Sequence, residues 1–291
     1  MFKYKGLKVK EDDAKLPKTR KELLKTIVKD DFYLLAEVSM LLFLFSIPLL
    51  AVFVGEVLLL GGSMGTEAAM KFSICLYCGL IEIPFFGLRY FARYAAFGVI
   101  KRRVHNEAGY IGELFFGGLK KGGVRGLIAG CILGVAACGW QTASVFVLAY
   151  NVDTWIKGLG IGATTLIFMI VYGAVEYFLA FDNYYKLPFA GAMKNGFSFA
   201  LMHFPLTLLY FAVTLGVPFG LTLLFTSAWA MIGIAAVFAL WGDGFTVLAV
   251  TLYSHSLFDK YINSVYYTDY INKGLSGPDD PQDKKENVDN G

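Results

Sequence analysis

Charge is what this sequence has little of. Only 17% of its 291 residues are Asp, Glu, Lys or Arg, while 56% are apolar and the mean hydropathy is +0.56. A soluble domain of this length needs a charged surface that such a composition cannot supply. Histidine is scarcer still: His105, His203 and His255 are dispersed along the chain, which argues against a catalytic metal centre. Enzyme signatures are missing: no H-E-x-x-H, no G-x-S-x-G, no G-x-x-x-x-G-K-[ST], no G-x-G-x-x-G after a strand. Neither an enzyme class nor a cofactor is indicated. The four cysteines form no disulfide or zinc framework. Cys75 and Cys78 make a lone C-x-x-C in an apolar run, and Cys131 and Cys138 share a helix face. They read as small buried apolar residues. A cleavable signal peptide is also absent, since the first thirty residues are polar and basic, so the first apolar run is expected to stay as an anchor.

What is present is a series of long apolar runs. Roughly 20 apolar residues at about 1.5 Å each cross a hydrocarbon core of ~30 Å. The pattern predicts an all-α, polytopic transmembrane bundle of about six spans, near 34–60, 72–88 (extending to 104), 126–150, 159–181, 197–225 and 229–255. A basic arm, 1–33, precedes the bundle and carries a short helix around Arg20–Lys29. A polar tail, 259–291, follows and reads as disordered. His105–Arg125 reads as a Gly-rich loop, and Asp182–Gly196 as another. The fifth run holds His203, Pro205 and Pro218, so it is either one kinked helix or a span with a re-entrant segment.

The few charges are segregated. Lys and Arg number ten in 1–33, eight in 89–125, two in 182–195 and four from 256 onward; only Lys71 and Lys157 fall in the other loops. Cytoplasmic loops retain Lys and Arg, so both termini are expected in the cytoplasm. Arg89, Arg93, Lys101, Arg102 and Arg103 form a basic stretch at the end of the second span. There it predicts contact with anionic lipid headgroups rather than nucleic acid. Gly126, Gly130 and Gly134 recur at i+4 and allow close approach of another helix, within this chain or in a second one.

Ionisable groups inside spans are costly and are the default functional candidates. Here they are Glu82, Glu176, His203 and Asp243, with Glu37 and Glu56 nearer the interfaces. Glu82 lies beside Pro84, which frees a backbone carbonyl in the preceding turn, so the pair could bind a cation or a sugar hydroxyl. Asp243 between Gly242 and Gly244 resembles a break in the last span. Each has a plain alternative: Glu82 pairs with an arginine, Glu176 snorkels to the headgroups, Asp243 is capped by a neighbouring helix. His203 alone is more often a helix–helix hydrogen bonder than a ligand.

Two stretches carry a resemblance. IPFFGLRYFARYAAFGVIKRRVHNEAGYIGELFFGGLKK (83–121) and EYFLAFDNYYKLPFAGAMKNGFSFALMHFPLTLL (176–209), with FDKYI at 258–262, resemble the signatures of the YesL-like family of bacterial membrane proteins. The first shows an apolar helix with Pro and Gly leading into a basic helix. In the second, Phe181 and Asp182 end one span while Lys194 and Asn195 open the next. The added first span and the longer polar ends depart from the family pattern. The resemblance implies a bacterial plasma-membrane protein associated with carbohydrate uptake and breakdown systems. The partners it suggests are sugar-permease subunits, or further copies of the chain. A transport-related component, either an accessory of carbohydrate uptake or itself a small transporter, is the first expectation; a non-catalytic scaffold that binds partners through its glycine stripe and basic face is the alternative.

Overall fold

The computed structural model of the protein describes residues 16–62, 68–107, 109–149, 153–185, 187–212 and 242–275, with Trp229 and Gly233. The described residues are helical throughout, without a β-strand. In order they form α1 (Arg20–Asp30), α2 (Phe32–Gly62), α3 (Ala68–Val104), α4 (Ile111–Ala149), α5 (Thr154–Tyr184), α6 (Phe189–Met202), α7 (Phe204–Phe211) and α8 (Asp243–Phe258). Four of these, α2 to α5, are long and apolar enough to cross a membrane. Most of the expected fifth span beyond 212, and of the sixth before 242, lies outside the described residues.

The short helix expected near residue 20 is α1. Thr19 caps it by accepting the Glu22 amide at 3.2 Å, and the Glu22 carboxylate accepts the Lys18 amide at 2.9 Å. Leu23 and Ile27, one turn apart, are buried against the bundle, and Asp31 closes the helix before α2 begins. The two long helices α2 and α3 run through Pro48 and Pro84 respectively. At about 1.5 Å per residue, α3 (37 residues) and α4 (39 residues) are each more than 50 Å long. They therefore exceed a ~30 Å hydrocarbon core by nearly half their length.

The excess length corrects the sequence reading. Residues 111–125 are not a loop but the first four turns of α4, and the turn before it is only a few residues long. Local propensity loses to packing here. A side chain at Gly118 would meet the Ala95 Cα at 3.0 Å, and one at Gly126 the Tyr90 carbonyl oxygen at 2.5 Å. At Gly130 it would meet the Phe86 carbonyl oxygen at 2.5 Å, and at Gly134 the Ile83 Cα at 2.8 Å. The glycine stripe thus extends beyond 126–134 and is used within the chain, seating α4 antiparallel on α3. Cys131 and Cys138 continue this seam against Gly87 and Gly79, and all four cysteines are free thiols.

The return expected at 182–196 is likewise shorter, since α5 runs to Tyr184 and α6 begins at Phe189. The expected disordered tail is corrected as well. Residues 259–275 fold back on the bundle, with Asn263 buried and accepting the Tyr185 hydroxyl at 2.7 Å; 276–291 lie outside the described residues. Arg20 donates to Asp259 at 2.8 Å and to the Lys273 carbonyl at 3.2 Å. Both ends of the described chain therefore meet at one end of the bundle, called here the α1 end. Phe178, Phe181, Tyr184, Phe258 and Phe97 are buried there.

Candidate functional site

Two polar layers cross the bundle. The first is built on successive turns of α3. Arg89 donates twice from Nη2 to the Asp243 carboxylate, at 2.7 and 2.8 Å. Arg93, one turn on, forms an ion pair from Nε to Glu176 Oε1 at 2.9 Å and donates from Nη2 to Glu176 Oε2 at 3.1 Å. Its other nitrogen reaches Asp243 Oδ1 at 3.4 Å, and Thr246 accepts at 3.4 Å. The Tyr90 hydroxyl donates to Glu176 Oε1 at 2.8 Å. Glu176 is fully buried, and Arg93 and Asp243 nearly so.

The layer joins α3, α5 and α8 with two guanidinium groups and two carboxylates, so its formal charge is zero. Buried charges are tolerable only when paired and hydrogen-bonded, and these are. α8 is itself held against α2: the Gly244 amide donates to Ser39 Oγ of α2 at 2.8 Å. Asp243 lies in the first turn of α8, and the residues just before Gly242, on which the expected break bears, lie outside the described residues.

The second layer lies earlier on α3, at Glu82, seven residues before Arg89 and eleven before Arg93, or roughly 10 to 16 Å along the helix. Here Glu82 accepts from Gln141 Nε2 of α4 at 3.3 Å. Glu56 of α2 is hydrogen-bonded with Cys75 and is close enough for its charge to act on Glu82. Both carboxylates are buried. No Lys or Arg among the described residues pairs with either, and residues 212–242 contain no Lys, Arg or His at all.

Of the residues singled out in the sequence, Glu176 and Asp243 come together, bridged by Arg93. Glu82 belongs to the other layer and does not pair with Arg89, two turns away. His203 stands apart, in tilted ring contact with Phe199 and Tyr261 at centroid distances of 5.5 and 5.3 Å. The lipid-facing basic stripe is corrected. Arg89 and Arg93 turn inward, Arg103 donates to Asp31 at 2.7 Å, and Lys101 donates to the Asn183 carbonyl at 2.7 Å. Only Arg102 of the five is exposed. Their partners lie 72 to 154 residues away, too far for a local pattern to reveal. Tyr90, Thr246 and Gln141 escaped notice for the same reason, whereas Glu56 was visible as a carboxylate in an apolar run.

His105 and His255, dispersed in the sequence, are neighbours in space, with ring centroids 5.1 Å apart. No group of three or more His, Cys, Asp or Glu able to hold a metal ion occurs among the described residues. Comparison of the chain with family models, with curated proteins and with solved structures finds no match. The fold and its polar layers place it in the class of helical membrane proteins.

Proposed function

We propose that the chain is a transport-related component of a bacterial plasma membrane, with Glu56 and Glu82 as its cation- or proton-binding pair. The observation that carries this is the second layer: two buried carboxylates from different helices, without a basic partner among the described residues. In a low-dielectric surrounding such a pair must take up a proton or a cation. The first layer already has its counter-charges, so Asp243 and Glu176 act as a fixed brace between α3, α5 and α8 rather than as the binding site. The scaffold reading loses its main support, because the glycine stripe is occupied by α3.

Six spans with both termini cytoplasmic remain the preferred topology. The contact of Arg20 with Asp259 supports it, since it requires an even number of crossings between the two. The α1 end, which holds most of the Lys and Arg, is then the cytoplasmic end. The link to carbohydrate uptake rests on the likeness to the YesL-like family.

The test is uptake of a panel of radiolabelled mono- and disaccharides by a deletion strain of the native bacterium. The strain is complemented with the parent chain, Glu82→Gln or Glu56→Gln at equal membrane levels. The parent chain should restore an uptake that both variants lose. Uptake that is restored equally by all three would overturn the role of the pair.

A further inference from the structure

The most unusual group outside the two layers is His105, just past the end of α3. Its side chain is 1% exposed, yet neither ring nitrogen has a hydrogen-bond partner, and the Nδ1 of the adjacent His255 also has none. Burying an unpaired imidazole is costly, and burying a charged one far more so. What covers it is residues 268–275, a strap of turns that follows the π-type turn Asp259–Asn263. Gly274 adopts a φ of +85°, and a side chain there would run into the Val104 carbonyl and stand 3.3 Å from the His105 Cα. Only glycine lets the strap lie this close.

The strap is fastened by polar contacts. Lys273 Nζ pairs with Glu107 at 3.0 Å, and Arg20 of α1 holds the Lys273 carbonyl at 3.2 Å. The Asn272 amide donates to Asp259 at 3.3 Å, and His255 Nε2 lies 3.4 Å from the Tyr270 carbonyl. The charged surroundings of His105 are mostly cationic. Lys101 of α3, Arg20 of α1 and Lys273 of the strap act on it together with His255 of α8. Asp259 is engaged by Arg20, and α5 offers the Tyr184 ring, at 5.5 Å. The nearest carboxylate, Glu107, stands 3.7 Å from Nδ1, beyond hydrogen-bond reach, and is already taken by Lys273.

We propose that residues 268–275 are a proton-released strap: protonation of His105 frees them from the α1 end, and Glu107 passes from Lys273 to the new imidazolium. Atoms and charge balance simply, since one proton from water is taken up by the ring. Burial, and then the charges of His255, Lys101, Lys273 and Arg20, push the covered imidazole down to about 2. Uncovered, it returns to the ordinary value of about 6.5. The covered form therefore keeps its full advantage above pH 6.5 and loses it tenfold per unit below. From pH 7.5 to 5.5 the ratio of covered to uncovered chain falls about tenfold.

Hydrogen exchange of the full-length protein in detergent tests this. The amides of Ile271, Lys273 and Leu275 are bonded within the strap and report its opening. Their protection factors, corrected for intrinsic exchange, should fall about tenfold from pH 7.5 to 5.5, while amides of α4 stay unchanged. His105→Phe, which keeps a ring in the space but cannot take a proton, should hold the strap protected at both pH values. Gly274→Ala displaces the strap without touching a titratable group and should give low protection at both. Equal protection of the parent chain at the two pH values, or an undiminished pH response in His105→Phe, would overturn the proposal. None of these readings depends on transport or on sidedness, so the strap and the carboxylate pair stand or fall separately.

Discussion

Arg93 shows how a charge is afforded inside an apolar bundle. Its guanidinium meets Glu176, Asp243 and Thr246, and Tyr90 takes the remaining demand of Glu176, so no charge in the layer is left alone. Removing one member is worse than removing all, because a buried charge then remains unpaired. Arg93→Ala should destabilise the protein by about 3–5 kcal/mol and lower the melting temperature in detergent. Arg93→Met with Glu176→Gln, which removes both charges, should recover much of the loss. A single variant as stable as the parent chain in a thermal melt would contradict the brace. Glu82 invites the opposite expectation. Among the described residues it has no basic partner to abandon, so Glu82→Gln should leave stability nearly unchanged while uptake is lost.

At the scale of elements, the seam between α3 and α4 decides the shape of the bundle. Gly130 faces the Phe86 carbonyl oxygen and the Tyr90 Cβ, each at 2.5 Å from where a side chain would begin. The α3 backbone cannot yield as a flexible side chain would, so Gly130→Leu must push the helices apart. Overpacking of this kind costs roughly 1–3 kcal/mol. The variant should fall in yield and in melting temperature, whereas Gly139→Leu, where nothing lies within 4 Å, should behave as the parent chain. Equal behaviour of the two would mean that the seam is not tight.

Elements differ in how far they could be read in advance. The first span was plain in the apolar run from Phe32 to Leu60, because composition alone marks a lipid-crossing helix. The first turns of α4 were not, because Gly112, Gly117, Gly118, Gly122 and Gly123 look like a loop until α3 lies against the last three. The candidate carboxylates were legible as costly residues in apolar runs, but their partners were not. Nothing near Arg93 in the sequence points to Glu176, 83 residues away. A stripe of arginines leaving a span looks the same whether it faces lipid or a neighbouring helix, and here the buried carboxylates make the difference.

For the whole molecule the open question is which way it sits in the bilayer, and the fold narrows it. The chain leaves the α1 end in α2, returns in α3, and repeats this in α4 and α5, so Asp31, Val104, Ile111 and Tyr184 belong to one end. Arg20 and Asp259 pair at that same end, as do Arg103 and Asp31. Under the proposed topology, retention of Lys and Arg on the cytoplasmic side would orient all of them together. Single cysteines on a background without Cys75, Cys78, Cys131 and Cys138 can check this at exposed positions. Asp153→Cys, at the start of α5, should react with a membrane-impermeant maleimide in intact cells. Lys21→Cys and Tyr266→Cys should react only in inside-out vesicles. Labelling of all three on the opposite sides would invert the molecule without changing its fold. Labelling of Lys21→Cys and Tyr266→Cys on different sides would contradict the fold itself, because the pairing of Arg20 with Asp259 would then be impossible.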